Sequence, residues 1–262
     1  MNRIVLLSDD DTSVLGRVFF EKMSEILARN GLEVYKIHIS VNENILDAIS
    51  QFDRISLEIK PDLMFVADFA CIRMQSTEEV PMYNLFSFPI VHLLFRRPWE
   101  YEIFMNYRCS FITRFYCVLQ EDAAYIKKYH DKLLNVDSLD NKLWGTNQKG
   151  VCYYGRERSV LKAIYEQAPA YVKTLGMQWK NVMKQNPGIS DVEGLRICLH
   201  KIGFAYQEAE LPGILYMLRD VFPLEYLESQ KIETCCLPEI DSKAMEQQVN
   251  IFLDMNFKVS LL

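Results

Sequence analysis

Three consecutive carboxylates, Asp9-Asp10-Asp11, follow the apolar run that ends at Leu7-Ser8, and a further one, Asp68, follows Leu63 to Ala67. Carboxylates placed just past the ends of buried strands can contact sugar hydroxyls or a hard cation such as magnesium. Arg96-Arg97 end another apolar run, Pro89 to Phe95. Guanidinium forks at that place suit a carboxylate or a phosphate held bidentately. His92 lies within the same run and, unperturbed, titrates near neutral pH, which makes it a candidate general base. Asp9, Asp10, Asp68, His92, Arg96 and Arg97 are therefore the candidate substrate-binding residues. None is assigned a catalytic role, and neither a resident metal nor a cofactor is expected.

Each candidate has an ordinary structural alternative. A solvated loop with one Asp capping the next helix accounts for the triple acid. Ion pairing with Glu100 or Glu102 accounts for Arg96-Arg97, and a hydrogen-bonded core histidine accounts for His92 and equally for His38. Cys235-Cys236 has no metal-ligand spacing to other Cys or His residues. Tyr153-Tyr154-Gly155-Arg156 fits either a cleft mouth or a strand end with a turn glycine. No G-x-G-x-x-G and no Walker A pattern occurs, so dinucleotide or ATP binding by those routes is unsupported.

Short apolar runs alternate with amphipathic stretches through the first 140 residues. Arg3 to Ser8, Leu32 to Ile39, Leu63 to Ala67, Pro89 to Phe95 and Phe115 to Leu119 are expected strands. Phe19, Phe20, Met23, Ile26 and Leu27 recur at helical spacing before the stop at Asn30-Gly31; Ile45, Ile49 and Phe52 mark a second helix, and Glu121 to His130 a third. This alternation predicts an α/β fold, a Rossmann-like parallel sheet with helices on both faces. Residues 1–140 form that domain, and residues 141–262 a mainly helical connection. In the latter, Gly150 to Gly155 reads as an isolated strand. Ser190 and Glu193 make a capping-box pattern, Pro212 suits a first helical turn, and Met245 to Met255 is a last helix. Phe257 to Leu261 alternates as a half-buried strand, either paired back into the first sheet or the start of a missing second Rossmann-like domain.

The chain has 262 residues, 50% of them apolar, with 29 basic and 35 acidic side chains and a net charge of −6. That balance argues against a nucleic-acid partner. The longest apolar run is far short of the ~20 residues a membrane-spanning helix needs, so no membrane span is expected. Seven scattered cysteines and no secretory leader point to a cytoplasmic protein with reduced thiols.

Phe115 to Tyr129, a strand followed by a helix carrying Tyr125-Ile126-Lys127-Lys128-Tyr129, resembles a segment of a bacterial glycosyltransferase-like family of the two-domain GT-B type, which includes spore-maturation glycosyltransferases. Pro89-Ile90-Val91-His92, Gly150 to Gly155, Asn186-Pro187 and Met245 to Val259 follow that family's order along nearly the whole chain. The resemblance implies the acceptor-side half of such a protein, with a sugar or glycosylated acceptor as partner. It also implies that the donor-binding half is absent and that the chain alone is inactive. Arg96-Arg97 depart from the family, which tends to place an acid or His before the proline kept here as Pro98. A rival resemblance is to a phospho-receiver or pseudo-receiver: Lys60-Pro61-Asp62-Leu63 to Asp68 is similar to the receiver's third strand. Leu93-Leu94-Phe95 lacks the Thr or Ser that should end the fourth, and no Lys-Pro follows the fifth. The alternative function is thus a stand-alone, non-catalytic binding or regulatory module.

Overall fold

A computed structural model describes residues 2–40, 45–71, 75–77, 80–102, 104–105, 109, 112–144, 158–219, 221–222 and 239–255. The strands expected at 150–155 and 257–261, the pair Cys235-Cys236 and the segment 153–156 lie outside the described residues. The chain divides into two compact units that interleave in sequence. Met1–Arg96, Ile103–Cys152 and Pro238–Leu262 form the first; Arg97–Glu102 and Tyr153–Leu237 form the second.

The first unit is built on β1 (Arg3–Asp9), β2 (Glu33–Ile39) and β3 (Leu63–Ala67). A short antiparallel pair follows, β4 (Gln75–Thr77) and β5 (Val80–Pro81), and then β6 (Ile90–Leu94), β7 (Thr113–Cys117) and β8 (Val136–Ser138). Six of these strands form one parallel sheet in the order β2-β1-β3-β6-β7-β8. The expected parallel α/β architecture is therefore present. Its strand order reverses once, between β1 and β3, which is the flavodoxin-like variant of the doubly wound fold. Every residue of β3 and β6 is buried, the outcome of two near-continuous apolar runs covered from both sides.

Helix α1 (Val14–Arg29) covers one face. Its buried stripe is Leu15, Phe19, Phe20, Met23, Ile26 and Leu27, and it stops where Gly31 adopts a φ of +78°, a conformation that costs glycine little. Lys22 Nζ donates to the Ile240 carbonyl at 3.0 Å, just before the C-terminal helix (Ser242–Asp254). Phe252 of that helix lies 5.2 Å from Phe65 and 5.1 Å from Tyr116, ring centre to ring centre. The opposite face carries α2 (Ile45–Asp53), whose Phe52 stacks on Phe86. Chain order thus runs α1, α2, α3 (Gln120–Tyr129), then α4 (Arg158–Gln167), α5 (Ala170–Gln185), α6 (Asp191–Lys201), α7 (Leu211–Leu218) and α8 (Ser242–Asp254).

The second unit, as described, is helical. Ser190 Oγ accepts the Glu193 N–H at 3.2 Å, the serine half of the expected capping box. Trp179 of α5 is fully buried, stacks on Phe222 and donates its indole N–H to the Asp191 carbonyl at 2.9 Å. A methyl group at Gly194 would run into the Met183 thioether, so α5 and α6 pack closely at this glycine and a larger residue there would make Met183 shift.

Candidate functional site

Ligands of open α/β sheets sit beyond the carboxyl ends of the strands, where the strand order reverses. Here that place lies between the ends of β1 and β3. Asp9 closes β1 and is 6% exposed; Asp68 follows β3 and is 4% exposed. Both carboxylates face the protein's own donors. Asp9 Oδ2 accepts the Cys71 N–H at 2.6 Å, and its Oδ1 accepts the Asp11 N–H and the Thr12 hydroxyl, both at 3.1 Å. Asp68 Oδ2 accepts the Ser13 N–H at 2.9 Å and Oδ1 the Phe95 N–H at 2.8 Å. The two acids thereby lace together the loops after β1, β3 and β6.

Ser13 is the N-cap of α1, its hydroxyl accepting the Gly16 N–H at 3.0 Å. A helix start of this kind attracts anions through its orphan N–H groups and its dipole. Asp68 occupies that position from within the chain. The packing is close: a methyl at Gly16 would stand 3.0 Å from the Phe95 ring and 3.3 Å from Asp68 Oδ2.

Strain marks the same spot. Asp68, Phe69 and Cys71 all adopt left-handed φ values, +52°, +60° and +60°, without a glycine among them. Each such residue costs on the order of 1 to 3 kcal/mol unless its surroundings dictate it. They do so here: Asp68 is held by two N–H groups, Cys71 by Asp9, and the Phe69 ring is wedged against His92 and Phe115, 5.2 and 5.7 Å away.

Burial pushes the Asp9 carboxyl above the usual range, against the pull of the Cys71 N–H and the Thr12 hydroxyl. Burial likewise raises the Cys71 thiol, reinforced by the neighbouring Asp9 and Asp10 charges, and lifts Cys109 to about 12. Neither thiol is a ready nucleophile. Among the described residues no group of three or more His, Cys, Asp or Glu side chains stands where it would hold a metal ion.

The remaining candidates separate. Arg96 stays at the edge, with Nη2 donating to the Asp11 carbonyl at 2.8 Å. Asp10 turns toward β2, where its Oδ1 meets His38 Nε2 at 3.2 Å and the Ser40 hydroxyl at 2.9 Å. Arg97 is buried within the second unit, Nη2 lying 3.0 Å from Asp191 Oδ2 and the guanidinium 4.4 Å from the centre of the Trp99 ring. His92 is fully buried between Phe69, Tyr83 and Phe115, and desolvation lowers its pKa to about 3. It is a neutral core residue rather than a general base, and neither ring nitrogen has a hydrogen-bond partner among the described residues. His38, expected in the core, is exposed instead, because β2 is the outer strand of the sheet.

The sequence left one neighbourhood unmarked. Ser8, Arg17, Lys36 and His38 line a groove of about 240 Å³ between α1 and the β1-β2 pair, floored by Leu6 and Phe20. Ser8 and His38 are register partners across two strands thirty residues apart, a proximity that no local spacing signals.

No family model matches the chain, and no curated protein matches it. A solved structure titled as the periplasmic component of an ABC-type sugar transport system, from Hahella chejuensis, is similar over 88% of this chain and 92% of its own, with 11% identity and a TM-score of 0.29. No helix among the described residues is long and apolar enough to cross a membrane.

Proposed function

We propose that this chain supplies the acceptor side of a GT-B-type glycosyltransferase-like protein and does not transfer sugar by itself. The observation that carries this reading is the Asp68 carboxylate seated on the N-cap N–H of α1, that of Ser13. A nucleotide-sugar is gripped through its diphosphate, and the N–H groups of a helix start are the usual cradle for that charge. In this unit the cradle already holds a carboxylate, so a second anion there meets repulsion instead of a free slot. Transfer then requires a donor-binding half beyond the groups described, since stabilisation of the leaving diphosphate is the largest electrostatic contribution such a reaction needs. The acceptor is a sugar or glycosylated molecule held at the carboxyl edge near Asp10 and Arg96. The four described cysteines, Cys71, Cys109, Cys117 and Cys198, are free thiols, which supports a cytoplasmic setting.

Calorimetric titration tests the reading. Uridine, guanosine and thymidine diphosphate sugars should give no saturable heat at millimolar concentration, whereas a carbohydrate from a glycan panel should. Micromolar binding of any nucleotide-sugar overturns it. A second reading, a non-catalytic regulatory module of pseudo-receiver type, is favoured by the strand order and by Asp68 directly following β3. Carbohydrate binding separates the two.

A further inference from the structure

The groove beside β2 contains a hydrogen-bonded chain of three side chains. Ser8 Oγ lies 3.2 Å from His38 Nδ1, and His38 Nε2 lies 3.2 Å from Asp10 Oδ1. The Ser40 hydroxyl, 2.9 Å from the same Asp10 oxygen, steadies the carboxylate. The polarity of this chain follows from the acid. Asp10 attracts a proton donor, so Nε2 carries the hydrogen and Nδ1 is left with the lone pair that faces the Ser8 hydroxyl. A nucleophile, a base and a group orienting the base are thus in contact, the arrangement by which unrelated folds activate a serine. Two features place it at a usable site. His38 is about half exposed, and both Ser8 and His38 open into the 240 Å³ groove, in contrast to the buried His92. Arg17, held by its Nη1 bond of 2.6 Å to the Thr12 carbonyl, adds a fixed positive charge to the groove wall. Lys36 lies beside it, paired with Glu21 at 2.7 Å. A charge of this sign favours the oxyanion that forms when a carbonyl is attacked.

We propose that Ser8, His38 and Asp10 form a hydrolytic site for small carboxylic esters. Ser8 Oγ bonds to the ester carbonyl carbon while its proton passes to His38 Nδ1. The tetrahedral adduct collapses by breaking the bond to the alcohol oxygen, which leaves with the proton from His38. Water then attacks the acyl-serine, gives a proton to Nδ1, and the acid departs as Ser8 regains its hydrogen. The net change is ester plus water to acid plus alcohol. Ser8 and His38 are the catalytic residues; Asp10 positions His38. The small groove limits the acyl group to a few carbons.

Reaction of the purified chain with a fluorophosphonate, followed by peptide mass spectrometry, tests this without any variant. The expected result is one adduct, on Ser8; no adduct, or one on another residue, overturns the proposal. Hydrolysis of p-nitrophenyl acetate gives the second readout. Ser8→Ala should fall to the rate of buffer, and His38→Gln, an exposed change on an edge strand, should lower kcat by about 100-fold. Asp10→Asn should lower kcat while leaving KM unchanged. Variant rates equal to that of the unaltered chain overturn the assignment.

Discussion

Asp68 Oδ2 stands 2.9 Å from the Ser13 backbone nitrogen, so the N-cap N–H of α1 is taken by a carboxylate carried on the loop after β3. This contact joins two links that are remote in sequence, a helix start and a strand end, and it sets what the carboxyl edge can bind. Asp68→Asn leaves one oxygen for two N–H groups, those of Ser13 and Phe95. A hydrogen bond to a charged acceptor contributes about 1.5 to 3 kcal/mol, so a loss of about 2 kcal/mol is expected in urea unfolding. Acetyl phosphate should leave the protein unmodified, because the Asp68 oxygens are buried against backbone donors. Phosphorylation of Asp68 would restore the receiver reading.

Asp9 gives a pH signature of definite sign. Its folded-state pKa is raised, chiefly by burial, so the folded protein holds this proton to higher pH than the unfolded chain does. The group therefore contributes stability that is fully present below the ordinary carboxylate range and is lost as pH rises through the raised value. Asp9→Asn does not titrate. The stability gap between the parent protein and this variant should narrow as pH rises above the ordinary carboxylate range, as the parent takes on a buried charge. A gap that widens with pH over that range would reverse the assignment of burial as the dominant cause.

The parallel sheet was legible because β1, β3 and β6 are apolar runs with little to confuse them, and the acids past their ends announced the ligand edge. What could not be read was pairing. β8 has only three residues, too few for any period to register, and it is entered through Asn135 at a φ of +56°. Ser8 and His38 meet through strand register, which the flanking residues do not encode. Arg97 looked like its neighbour Arg96, yet the backbone carries the two into different units, and its partner Asp191 lies 94 positions downstream (191 minus 97). His92 was recognisable as a core residue from the apolar run around it. Its aromatic surroundings, contributed by β7, the turn after β3 and Tyr83, were not.

The Arg97–Asp191 pair is a buried ion pair within the second unit, with both side chains 1% exposed. Removing one partner takes a countercharge from a buried group, which costs about 3 to 5 kcal/mol, while replacing both by apolar groups of similar volume is often neutral. Arg97→Met and Asp191→Leu should each destabilise by that amount, and the double variant should recover most of it. The arginine also packs on Trp99, so methionine, long and flexible, is the better replacement for its stem. A double-mutant cycle by chemical denaturation measures the coupling; additive losses would show that the pair acts independently.

His92 supplies the sharpest contrast with His38. Both were candidate core histidines, but His92 is enclosed by three rings, lies nearly parallel to Phe115 at 5.0 Å, and has no hydrogen-bond partner at either nitrogen among the described residues. A buried polar group left unpaired costs about 1 to 3 kcal/mol, and an apolar ring of comparable shape avoids that cost. His92→Phe adds volume, which offsets part of the gain, so its stability should equal or exceed that of the parent by up to about 1 kcal/mol. With a pKa of about 3, the imidazole is neutral throughout the physiological range. The variant should therefore leave ester hydrolysis and carbohydrate binding unchanged between pH 5 and 8, where His38→Gln strongly lowers the former. Loss of stability beyond 2 kcal/mol in His92→Phe would mean that the ring nitrogens are satisfied in solution, for instance by an internal water.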